Sequence, residues 1–98
     1  MNNDITPERL MKLAAVLGKQ HPKIDVQNRV WIKVPTKTTL YQPHKDWNQC
    51  GEVLEYFKSI HEFRCLIFMA SDLLFENNDL NLKEAFVLVA LEFIESKE

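Results

Sequence analysis

The stretch FRCLIFMASDLLF, residues 63–75, is the one on which the fold turns. It is a short apolar run between polar flanks, which is how a strand covered on both faces reads. Ser71 and Asp72 in its middle are turn-forming side chains, so the stretch predicts a β-hairpin with a tight turn and a second, shorter strand. Arg64 is a lone cation in this run, projecting from an exposed sheet face or pairing with Glu62 or Asp72. Together with His61 it forms a candidate polar site.

Downstream, the polar tip ENND at 76–79 leads into a capped helix. Asn81 is its N-cap, Glu84 holds the reciprocal capping-box position, and Leu80 faces Ala85 as a hydrophobic staple. The helix runs to Glu95 and is apolar on more than one side. Ala85, Leu88, Val89 and Phe93 line one face, while Phe86, Val87, Ala90 and Ile94 spread round the other. A helix of this kind is either sandwiched in its own core or paired with another molecule. Phe86, Val87 and Ile94 are therefore candidate interface residues, for a homodimer or a different protein.

Upstream, YQPHKDWNQCGEVLEYF at 41–57 starts another helix. Asp46 caps it, Gln49 stands three residues on, and Pro43 keeps it from starting earlier. Trp47, Cys50, Leu54 and Phe57 recur on one face with Val53 beside them, which makes Trp47 a core anchor, while Glu52 and Glu55 face out. Gly51 inside the helix costs about 1 kcal/mol against alanine and suggests the close approach of another backbone. The residues before the helix, Tyr41, His44, Lys45 and Asp46, form the candidate interaction loop, because binding groups concentrate on loops.

The segment RVWIKVPTKTTLYQP at 29–43 reads as extended chain. Val30, Ile32 and Val34 alternate with Trp31 and Lys33, and Pro35 marks an edge or break, so two short strands or one interrupted strand both fit. KQHPKIDVQN at 19–28, with mixed charge and a proline, reads as a connecting loop. A first helix is announced by Thr6 as N-cap and Pro7 at its first position; Leu10, Leu13, Ala14 and Leu17 follow at helical spacing before Gly18 ends it. The expected fold is α+β: one domain over residues 1–98, with a small, mainly antiparallel sheet of three to four strands covered by three helices in α/β/α layers.

Composition bounds the rest. A chain of 98 residues buries roughly 60–68% of its unfolded surface, enough to fold without staples. Twelve Lys plus Arg against fourteen Asp plus Glu leave no basic excess for a nucleic-acid backbone, so no nucleic-acid partner is expected. Cys50 and Cys65 read as buried thiols of a reducing cytoplasm. No apolar run is long enough to cross a bilayer, and no cationic start with a long apolar core opens the chain, so no membrane association is expected.

Chemistry finds few footholds. His21, His44 and His61 with Cys50 and Cys65 show no metal-ligand spacing, so no metal is expected. Cys50 falls on the apolar face of its helix and Cys65 inside a strand-like run, where thiols pack and do not react. With two glycines in all, Gly18 ending a helix and Gly51 within one, no phosphate-cradling loop can be drawn, and no cofactor is expected. The carboxylate pairs Glu52 with Glu55 and Glu92 with Glu95 are those of solvated helix faces.

The order of elements, with Pro43, Asp46, Trp47, Asn48 and Gly51 at the middle helix, then Phe68 and Ala70, then Glu84 and Ala85, resembles the phage ABA-sandwich domain of small phage and prophage proteins, including NinX-like ones. The resemblance covers roughly residues 41–94. It implies phage origin, α/β/α layering, and a strand whose end carries the Phe68-x-Ala70 pattern; it implies no reaction. The leading expectation is a non-enzymatic interaction or modulator protein with a host or phage partner. The alternative is a small-ligand binder or minor enzyme with a pocket between sheet and helices, using Arg64, His44 or His61.

Overall fold

The computed structural model describes residues 3–35 and 37–97; Thr36, inside the segment expected to be extended, lies outside them. Helix α1 is Pro7–Val16, followed by strands β1, Gln20–Ile24, β2, Val30–Val34, and β3, Lys37–Leu40. Three helices complete the chain: α2, Trp47–Ser59, α3, Phe63–Glu76, and α4, Leu82–Glu95. The strands form an antiparallel sheet in the order β1-β2-β3, so the class is α+β with one small antiparallel sheet.

Local capping is as the side chains dictate. The Thr6 side chain accepts from the Arg9 N–H, that of Asp46 from the N–H groups of Asn48 and Gln49, and Asn81 with Glu84 closes a full capping box. Gly18 sits at φ 76° just past α1, where a side chain would be strained.

Residues 63–75 are the main correction. They form α3, a fourth helix and not a hairpin, so the Phe68-x-Ala70 pattern lies mid-helix and not at a strand end. The stretch contains no Gly or Pro, and Leu, Met, Ala and Phe dominate it. Leu66, Ala70 and Leu73 are buried at i, i+4, i+7, a helical period that a strand cannot satisfy. Ser71 donates its hydroxyl to the Ile67 carbonyl at 2.9 Å, and so serves the helix without turning the chain.

A second correction concerns residues 20–24. The expected loop is edge strand β1, although it contains Pro22. A register shift between Gln20 and Lys23 makes room for the proline, and His21 takes φ 49° there. The β1–β2 turn is closed by the Asp25 carboxylate, which accepts from the N–H groups of Gln27 and Arg29.

The helices gather on α4, which packs against α1, α2 and α3, while α1 also lies on β1 and β2. Phe86, Val87 and Ile94 are thereby buried in this chain's own core, as are Ala85 and all of residues 88–91. The all-round apolar character of α4 is thus explained by three flanking helices: of the two readings, sandwiched in its own core or paired with another molecule, the structure shows the first, and the candidate interface residues Phe86, Val87 and Ile94 are covered. Cys50 is buried as expected, but Cys65 is exposed on α3. Trp47 is 53% exposed and not a core anchor: it occupies the first turn of α2, beyond the buried Cys50, Val53 and Phe57, with the Lys83 ammonium 4.9 Å from its ring centroid. An added Cβ at Gly51 meets nothing within 4 Å beyond its own helix among the described residues, so no other described backbone approaches that glycine.

Candidate functional site

Two surfaces emerge. The first lies under the loop that joins β3 to α2. Tyr41 donates its N–H to the Val30 carbonyl at 2.8 Å, which extends the β2–β3 pairing by one step and turns its side chain into the core. Gln49, reaching back from α2, accepts from the Gln42 N–H and donates to the Leu40 carbonyl at 2.7 Å. That glutamine therefore anchors the loop and does not cap its own helix. The N–H groups of Lys45 and Asp46 both meet the Gln42 carbonyl at 2.9 Å, closing a tight turn.

Of the four loop residues singled out from sequence, Tyr41 is fully buried and His44 half-buried; Lys45 and Asp46 are exposed, and Asp46 is occupied as a cap. Burial pushes the Tyr41 phenol well above its usual range, helped by Glu52 and Cys50. Burial, with Lys45 beside it, pushes the His44 imidazole below its ordinary value, against the pull of Glu84. His44 is therefore neutral at pH 7. Neither the Tyr41 hydroxyl nor the His44 Nδ1 has a hydrogen-bond partner among the described residues. A cavity of about 170 Å³ opens between this loop, the N-terminal end of α1 and the β1–β2 turn, with Asn28, Arg29, Gln42, His44 and Lys45 among its walls.

The second surface is the outward side of α3. Phe68 is 66% and Phe75 91% exposed, with Met69 and Cys65 at the margin. Arg64, Phe68, Ser71 and Phe75 follow at i, i+4, i+7, i+11, so they share one stripe of the helix. Arg64 stands at the basic end and has no ion-pair partner among the described residues; Asp72 and Glu76 mark the acidic end. His61, its proposed companion, is exposed at φ 60° just after α2, where its backbone terminates that helix. Neither Arg64 nor His61 is among the residues lining the cavity under the loop. Phe68, Met69 and Phe75 escaped the sequence reading because a hairpin puts alternate residues on opposite faces. Read at helical spacing, the same letters show the stripe.

Other chemistry is sparse among the described residues. No group of three or more His, Cys, Asp or Glu side chains comes together as a metal site, and no helix is long and apolar enough to cross a membrane. Burial raises the Cys50 thiol, which keeps it protonated at neutral pH. Compared with known proteins, the chain matches no family model, no curated protein and no solved structure.

Proposed function

We propose that this chain is a non-enzymatic interaction domain whose docking surface is the outward side of α3, and that the occupant is a second copy packed antiparallel on the same surface. The observation that carries the reading is the exposure of Phe68 and Phe75 along one helical stripe, the opposite side of which is buried in the core. Two large aromatic side chains in water on a rigid helix are a standing gain for any surface that covers them.

Charge selects the partner. α3 has no acidic residue in its first turn and no basic residue in its last, and its N-cap Glu62 makes no side-chain cap. Arg64 instead stands near the N-terminal end and Glu76 at the C-terminal end, each opposed to the helix dipole. An antiparallel copy reverses both mismatches at once. It sets the acidic end of one α3 beside the Arg64 end of the other, and each dipole beside its opposite. The same geometry brings the Phe68 and Phe75 pairs together about a two-fold axis. A helix face about 21 Å long covers far less than the roughly 800 Å² per partner of a standard interface, so the dimer is weak and concentration-dependent.

Sedimentation velocity over a wide concentration range tests the reading, with Arg64→Glu, Glu76→Arg and the double exchange as variants. Reversible dimerisation that each single reversal weakens and the double exchange restores is the expected result. A monomer at every concentration overturns the second-copy reading and leaves the face to a heterologous protein, host or phage. Dimers indifferent to all three variants overturn it as well.

A further inference from the structure

We infer that the cavity under the loop at residues 41–45 is a binding site for a small oxyanion, a phosphate or a short carboxylate. Its charged walls are of one sign. Arg29 and Lys45 line it, with Asn28, Gln42 and His44 as polar neighbours, and no Asp or Glu is among the lining residues. In a chain with more acids than bases, a recess that excludes carboxylates is an electrostatic feature of its own.

The two cations are available. Arg29 binds Asp25 through Nε alone, at 2.8 Å, and its guanidinium lies over the Trp31 ring at 5.4 Å, so the group is held in place while its Nη atoms carry no hydrogen bond among the described residues. Asp25 is itself saturated, accepting the Trp31 indole N–H and two backbone N–H groups, and its carboxyl stays far below the usual range chiefly through the indole bond. Lys45 has no ion-pair partner among the described residues. His44 adds a buried Nδ1 without a partner. A buried polar atom of this kind is costly unless something outside the chain completes it. The volume, about 170 Å³, suits a group of phosphate or short dicarboxylate size and is too small for a nucleotide.

Inorganic phosphate and succinate, titrated separately into ¹⁵N-labelled protein at fixed ionic strength made up with chloride, test the assignment. Saturable shifts confined to residues 28–30 and 40–45 are expected for at least one of the two. The His44 imidazole should rise in pKa on saturation, because an anion beside it favours the cation. Lys45→Gln, at an exposed position with no side-chain hydrogen bond or ion pair among the described residues, should weaken binding by about tenfold, whereas Lys58→Gln, in the last turn of α2 at the end away from the loop, should leave it unchanged. The phosphate and succinate arms show which oxyanion the recess prefers. Linear, unsaturable shifts with both, or equal binding in Lys45→Gln, would overturn the site.

Discussion

Arg9 on α1 donates two parallel hydrogen bonds to the Glu95 carboxylate on α4, Nε to Oε2 at 2.9 Å and Nη2 to Oε1 at 2.7 Å, while its Nη1 reaches the Asp4 carbonyl at 2.7 Å. The guanidinium is buried and the carboxylate partly exposed. This fork ties the first helix to the last, 86 residues apart in sequence.

The fork predicts an acid-side loss of stability. The hydrogen bond from Arg9 holds the Glu95 carboxyl below the ordinary glutamate value of 4.5, so the folded chain binds that proton less tightly than the unfolded chain. The contribution is therefore complete above pH 4.5 and disappears as pH falls through the lowered folded value. Glu95→Gln should cost about 2 kcal/mol at pH 7. Urea midpoints of the two proteins should converge as the pH falls progressively below 4.5. Parallel curves across the whole range would rule out the linkage.

Gly51→Ala should stabilise. The position is helical, and the added methyl group meets no atom within 4 Å. The expected gain is about 1 kcal/mol, seen as a higher Tm. A lower Tm would mean that a neighbour covers Gly51 after all.

Trp47 and Phe57 share α2 but differ in burial, 53% exposed against 1%. Trp47→Ala should cost only about 1 kcal/mol, mostly the Lys83 contact and partial packing. Phe57→Ala should cost about 3–5 kcal/mol, since its ring packs edge-on against Phe93 at 5.2 Å in the core. Equal losses in guanidinium titrations would contradict the placement of the tryptophan.

Tyr41→Phe removes a buried hydroxyl without a partner and keeps the ring. The variant should match or exceed the parent by up to about 1 kcal/mol, because deleting an unsatisfied polar atom recovers its desolvation cost. Calorimetry decides it: a destabilised variant would show that the hydroxyl is hydrogen-bonded in solution.

What residues 1–98 disclosed unaided was what neighbouring side chains settle between themselves. Thr6, Asp46 and the Asn81–Glu84 pair cap helices through bonds that span three residues, so the helix starts were legible. Alternation at Val30, Ile32 and Val34 marked β2 for the same reason, and the loop carrying His44 and Lys45 was recognisable from Pro43 and the Asp46 cap. Those residues do line the cavity, but Arg29 joins them only through the sheet.

The tertiary structure decided everything that depends on what lies opposite. An apolar run such as 63–75 is compatible with a covered strand or a packed helix. α4 settles the matter by covering the Leu66, Ala70 and Leu73 face, which leaves Phe68 and Phe75 in water. β1 accommodates Pro22 because it is an edge strand with a register shift, Trp47 projects past the core that its spacing seemed to address, and Arg9 finds Glu95 across the whole chain. Caps and alternation are local free energies, written in adjacent letters. Burial is a property of the assembled surface, and no window of sequence contains its other side.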